Sequence, residues 1–229
     1  LAGGGSGLLL VPTLLFLGMP FPSAVAINKV TTVAQGGGAI AKHIKRSVIN
    51  WKVGILILLF GVPGVVFGSL LIPYVNPKFA ETLLGTLILI ISTLSMVLPV
   101  KSETCFALKL TMKKIFIVAG GVFIVGVVNG AFTASSGLFL TFLLVTALRF
   151  DFNTAISHTV IFCTFCWNII GGISMHEAIV EQLSILPTLL IASIMGGYLG
   201  VYISLKISAD ISQRIFTITS FSIGLALIF

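Results

Sequence analysis

At 229 residues, 57% hydrophobic and 8% charged, with a mean hydropathy of +1.19, the chain falls outside the soluble globular class, where roughly 25% of residues are charged. A net charge of +7 would suit nucleic acid in a soluble protein, but in a membrane protein excess Lys and Arg hold loops on the cytoplasmic side. A cleavable signal sequence has one short apolar region near a basic start; here apolar segments recur to the last residue, so the class is an all-α polytopic membrane protein with the lipid bilayer as its surroundings.

The chain opens on "LAGGGSGLLLVPTLLFLG", which predicts a short helix over 8–18 behind a glycine-rich break. That helix is too short to cross a bilayer, which takes ~20 residues at ~1.5 Å each. Non-helical backbone at membrane depth is tolerated only where it is buried in protein or lines a cavity. The break therefore points at a site. A helix over 22–41 follows and contains Asn28, Lys29, Thr31, Thr32 and Gln35. Asn28, Thr32 and Gln35 share a face at i, i+4 and i+7. Lys29 is an ionisable residue within a span and a functional candidate by default, although it lies about two turns from the outer end and could snorkel.

Segments 52–74 and 79–99 each read as one span, the first containing the small-xxx-small pattern "GVVFG" (64–68) that lets helices approach closely. A polar, basic stretch, 101–114, then divides the chain as a cytoplasmic linker. Beyond it lie 115–130, a short 137–148, then 153–174, 183–205 and 211–229.

The two sides of the divide resemble each other. "GGGSGLLL" (3–10) pairs with "TASSGLFL" (133–140), "AVAIN" (24–28) with "AISHT" (155–159), and "GVVFG" with "GGYLG" (196–200). Their shared order and spacing, offset by about 130 residues, indicate an internal repeat. Residues 1–100 form a first membrane repeat and 115–229 a second. Segment 115–130 has no counterpart after Leu1, so the first repeat is expected to lack its first helix in this sequence.

Charge sets the orientation. Lys42, Lys45, Arg46, Lys52, Lys101, Lys109, Lys113, Lys114, Arg149, Lys206 and Arg214, eleven of the thirteen basic residues, can all face the cytoplasm. "MHEAIVEQ" (175–182), with two acids and no Lys or Arg, then falls outside. Helix 22–41 runs inward and 153–174 outward. Opposed orientation of equivalent elements makes the repeats inverted in topology, with short broken helices meeting at the midplane, as in many secondary transporters.

The candidate site lies where those broken helices start. Helix N-termini offer unpaired N–H groups and about half a positive charge, and glycine admits a ligand close to the backbone. Backbone N–H groups near Gly4, Gly5, Ser135 and Ser136, with the hydroxyls of Ser6 and Thr133 and the small Gly137, would suit a small anion. Asn28, Lys29, Thr32, Gln35, His158 and Thr159 would complete the cage, with Thr164 and Asn168 repeating the i, i+4 relation on the second half's helix. The alternatives are that the small residues only permit tight packing and that His158 is a satisfied packing residue. All six carboxylates fall in loops or at segment ends. A cation substrate would lack its counter-charge, and His158 is the ordinary candidate for any proton coupling.

"GGGSGLLLVPTLLFLG", "AVAINK" and the basic tail "KHIKRSVINWK" resemble the TauE/SafE sulfite-exporter family, and "GAFTASSGLFL" with "AISHT" resemble its second copy. The resemblance implies a transporter exporting sulfite, or a sulfur-containing organic anion such as sulfoacetate, across the bacterial inner membrane by alternating access. An anion channel would use the same donors around a continuous pore. An integral-membrane enzyme would need a nucleophile or metal set, and the sequence offers only scattered His43, His158 and His176 and the apolar "CTFC" (163–166). No catalytic residue, metal, cofactor or nucleic-acid partner is expected. A homodimer is compatible with the sequence, which specifies no face for it.

Overall fold

The computed structural model describes residues 6–46, 49–97, 112–133, 136–150, 152–204 and 209–228. Among them every regular element is helical, as the bilayer requires when each backbone polar group must find its partner within its own segment. Gly4, Gly5, Ser135, Cys105 and linker residues 101–111 lie outside the described residues, as does the side chain of Ser6.

Helix α1 spans Ser6–Phe16 and α2 Phe21–Arg46. Between them Gly18 turns the chain at φ +84°, and Met19 N donates to Leu14 O at 3.0 Å, a glycine-type helix termination. Helix α3 (Trp51–Leu71) begins where Asn50 Oδ1 accepts from Lys52 N and Val53 N, and it ends in one 3₁₀ turn, Ile72–Tyr74. Asn76 caps α4 (Pro77–Val97) in the same way. Helix α5 (Met112–Phe132) starts three residues inside the stretch expected to be linker. Helix α6 (Ser136–Leu148) is the second short helix. The stretch expected as one helix over 153–174 is continuous but composite: α7 (Phe152–His158), a π-helical turn sequence (Thr159–Trp167) and α8 (Asn168–Ser174). A short α9 (His176–Val180) leads to α10 (Leu186–Ser204) and α11 (Ala209–Ile228). Among the described residues, three helical stretches are long and apolar enough to cross a membrane: Trp51–Tyr74, Ile115–Phe132 and Thr154–Ser174.

Helix α3 turns its glycines inward and its bulk outward. Ile55, Leu59, Phe67 and Leu70 are exposed, while Gly61, Gly64, Val65, Gly68 and Ser69 are buried. The buried stripe lies along α5. A Cβ at Gly64 or Gly68 would run into the carbonyls of Phe123 or Val127, and one at Gly130 into the carbonyl of Val65. Contacts advance together along both chains, so α3 and α5 are parallel and touch backbone to backbone, with Ser69 Oγ donating to Gly130 O at 3.2 Å. The expected mirror contact through "GGYLG" is not found at Gly196, where nothing lies within 4 Å of an added Cβ. Its neighbours Ile191, Ile194 and Met195 are exposed, so no helix among the described residues covers that face. The partner of GVVFG is α5 instead.

Helix α2 runs antiparallel to α7–α8. Thr164 Cγ2 lies 3.5 Å from a Cβ placed on Gly36, Lys29 packs on Gly171, and Ser23 Oγ donates to Glu181 Oε2 at 3.3 Å. As the α2 number rises, its partner's number falls. Helix α4 pairs with α11, where a Cβ on Gly85 would lie 2.9 Å from Gly224 O. Two apolar clusters result. One gathers Val11, Phe21, Ile27, Leu84 and Ile88 from α1, α2 and α4. The other gathers Ile57, Val122, Leu144, Phe162 and Trp167 from α3, α5, α6 and the π segment.

Candidate functional site

Lys29 is fully buried, one of the largest side chains to be so. Helix α2 turns it toward the second half, where its Nζ donates to Asn129 O at 2.7 Å near the end of α5. Only a glycine at 171 leaves room for its stem: an added Cβ there would lie 2.9 Å from Nζ and 3.0 Å from Cδ and Cε. The other two ammonium hydrogens have no partner among the described residues. A buried cation so sparsely bonded is costly unless a further acceptor meets it.

Asn129 ties the surrounding elements together. Its Nδ2 donates to Ser136 Oγ at 2.8 Å and lies 3.5 Å from Asn168 Oδ1 and 3.8 Å from Cys163 Sγ. Ser136 Oγ in turn donates to Thr133 O at 2.9 Å, and Asn168 Nδ2 donates to Thr164 O at 2.9 Å. Thr133 holds φ +56°, the left-handed region that β-branched residues seldom adopt, a conformation costing ~1–3 kcal/mol that clusters at functional sites. Its hydroxyl donates to Asn129 O at 3.2 Å, the same oxygen that Lys29 uses. The start of α6, ~18 Å along the helix from its last residue, therefore sits directly on the Lys29 cluster.

Several buried polar atoms here have no hydrogen-bond partner among the described residues: Asn28 Nδ2 and Oδ1, Thr32 Oγ1 and Asn129 Oδ1. Asn28 is wholly buried and Thr32 nearly so. Helical spacing puts Thr32 between Asn28 and Lys29 within one arc of ~100°. Gln35, half-buried, continues the Asn28 side of that arc. The arc faces the π segment, since Gly36 and Lys29, at its edge, touch Thr164 and Gly171. Beside it a groove of about 320 Å³ is lined by Val30, Val33, Gly172, His176 and Ile179, with Asn168 as its link to the cluster.

The structure thus brings together Lys29, Thr133 and Ser136 of the sequence-derived set around Asn129, with Asn28 and Thr32 buried beside Lys29 on α2. Gly137 is buried at the first turn of α6, where its carbonyl accepts from Thr141 Oγ1 at 2.8 Å. Thr159 shares a hydrogen bond with Thr141 at 2.9 Å, joining α6 to the π segment. His158 is engaged by backbone: Nε2 accepts from Asn50 N at 3.0 Å, and Nδ1 lies 2.8 Å from Thr154 O, which fits the neutral ring with its proton on Nδ1. Phe150 and Phe162 flank it. Gly4, Gly5 and Ser135 fall outside the described residues, and no side-chain statement applies to Ser6. Sequence reasoning passed over Asn129 and read Cys163, in the apolar CTFC, as a packing residue. The signal for Asn129 was a lone amide in "GVVNGAF", directly before the small-residue loop. Among the described residues no group of His, Cys, Asp or Glu could hold a metal ion.

The sequence pattern of the family described as "Sulfite exporter TauE/SafE" matches residues 1–227. The chain belongs to the TauE/SafE family. It is 28% identical over 155 residues to the "Probable membrane transporter protein YfcA" of Escherichia coli K12, an alignment covering 68% of this chain and 57% of that protein. It is 24% identical over 234 residues to the "Probable membrane transporter protein ORF9" of a Sinorhizobium species, covering 98% of this chain and 85% of the other. The chain thus spans little more than half the length of the Escherichia coli relative. No solved structure matches it significantly. A TauE/SafE protein with these apolar helices is an integral membrane protein.

Proposed function

We propose that this TauE/SafE protein transports a small anion, sulfite or a sulfur-containing organic anion such as sulfoacetate, out of the cell across a bacterial inner membrane. The observation that carries this reading is Lys29: a wholly buried ammonium with one carbonyl partner, beside amides and hydroxyls and, among the described residues, no carboxylate. The described carboxylates Glu81, Glu177 and Glu181 lie near the start of α4 or around α9. Asn28, Thr32 and Ser136 stand ready with Lys29 for an oxyanion. His158 positions α7 against the start of α3.

Inverted repeats are part of the proposal. Support comes from the antiparallel run of α2 against α7–α8, from α4 pairing with α11, and from α2 touching α10 as α8 touches α3. The two halves so exchange equivalent contacts, which suits alternating access. Export needs no coupled ion, because an inside-negative potential expels one negative charge with ~2.3 kcal/mol per 100 mV.

The test is sulfite efflux from vesicles carrying the purified protein. Saturable efflux that an inside-negative potential accelerates supports the reading. Flux without saturation would replace the carrier by a channel, and no flux with any sulfur oxyanion would remove it.

A further inference from the structure

Asn28, Thr32, Lys29 and Asn129 present an unusual mixture of unmet needs. Lys29 has two N–H groups to give, and Asn28 Nδ2 is a further donor. Asn28 Oδ1 and Asn129 Oδ1 are acceptors, and Thr32 Oγ1 can act either way. All belong to residues buried to within a few per cent. An anion offering only lone pairs, such as fully ionised sulfite or sulfate, would satisfy the donors and leave both amide oxygens facing negative charge. Leaving buried acceptors unmatched is what allows a site to reject an analogue that lacks the complementary hydrogen. One cation with no second cation among the described buried residues also matches one negative charge better than two.

We infer that the site selects a singly charged anion that itself carries a hydrogen-bond donor: the hydrogen-bearing monoanion of sulfite, or a sulfonate with a hydroxyl group, in preference to an acceptor-only dianion. The donors such an anion's oxygens would use are the Lys29 ammonium, Asn28 Nδ2 and the Thr32 hydroxyl. The anion's hydrogen goes to a free amide oxygen, that of Asn28 or Asn129. The inference rests on the anion-transport reading and sharpens it.

Binding to detergent-purified protein tests it, with three probes above and below the pH at which sulfite loses its last proton. Sulfite changes from monoanion to dianion across that range; sulfate stays a dianion; methanesulfonate stays a monoanion with no donor and so reports any titration of the site itself. The expected result is that sulfite tightens relative to methanesulfonate as the pH falls, while sulfate stays weak throughout. Asn28→Leu and the isosteric Thr32→Val should each cut the affinity for hydrogen-bearing sulfite by about tenfold, the usual worth of one net hydrogen bond. Thr32→Val preserves shape and keeps the comparison usable should Asn28→Leu fail to fold. A sulfite-to-methanesulfonate ratio that does not change with pH, or that favours the dianion, overturns the inference while leaving anion transport standing. Failure of all three anions to bind folded protein overturns the transport reading and this inference together.

Discussion

Replacing Lys29 by methionine keeps the length of the side chain and removes its charge. For stability two effects oppose. The bond to Asn129 O at 2.7 Å is lost, worth ~1.5–3 kcal/mol for a charged donor. Against that, the variant no longer buries an ammonium, whose effective desolvation penalty is several kcal/mol. The thermal unfolding temperature in detergent should therefore stay level or rise. Anion binding should collapse. An anion ~4 Å from the ammonium gains ~4 kcal/mol at an effective dielectric constant of ~20, almost three decades in Kd at ~1.4 kcal/mol per decade. Desolvation of the anion offsets part of this, so a loss of at least about 100-fold is expected. Titration of sulfite into wild type and Lys29→Met, beside a thermal scan of each, decides. A folded variant whose Kd stays within about threefold of wild type would show that Lys29 only fastens α2 to α5.

The α3–α5 contact should reverse the usual sign of glycine replacement. Glycine to alanine inside a helix normally gains up to ~1 kcal/mol, and Gly120→Ala, with open space around it, should behave that way in a thermal scan. Gly68→Val, driven into the Val127 carbonyl, should lose several degrees or fail to fold, and equal stability of the two would refute the parallel packing. Ser136→Ala removes both its own bond to Thr133 O and the acceptor of Asn129 Nδ2. The expected loss is ~1–3 kcal/mol, read as a lower unfolding temperature together with weaker anion binding. His158→Phe keeps the ring among Phe150 and Phe162 but abandons the Asn50 amide. Stability should fall by ~1–3 kcal/mol while the anion Kd stays within about twofold; a larger change in Kd would put the imidazole on the substrate.

Helix positions were legible because each span announces itself by local chemistry. Expected 8–18 against observed Ser6–Phe16, and expected 52–74 against Trp51–Tyr74, differ by a couple of residues at each end, where Gly18 and Asn50 supply the stop and start. Asn28 and Thr32 were legible as polar residues on one face, and Lys29 as an ionisable residue within a span. What stayed hidden depends on distant partners. His158 is satisfied by Asn50, 108 residues away, and no local pattern says so. Asn129 looked like one amide among apolar neighbours until the fold laid Ser136, Cys163 and Asn168 around it. The π segment was equally silent. "TVIFCTFCW" is apolar on almost every side, so its composition suits an α or a π turn alike. GVVFG was legible as a close-packing surface, but its partner was not, because glycine stripes specify approach distance and not identity.

The backbone contact between α3 and α5 has a mechanical consequence. Two parallel helices whose glycines seat against each other's carbonyls have no compliant side-chain layer between them and cannot slide without breaking that fit. Helix α3 lies before the 101–114 stretch in the chain, yet it packs backbone to backbone on α5, beyond that stretch, and shares an apolar cluster with α6 and the π segment. Helices α1, α2 and α4 share the other cluster with Ile72 and with Ala131 and Phe132 at the end of α5. Packing therefore does not follow chain order, and the Lys29–Asn129 bond ties α2 to the α3–α5 pair. A shift of α2 relative to α5 would stretch that bond, so the ammonium that would hold the cargo is also the side chain that fastens these two helices.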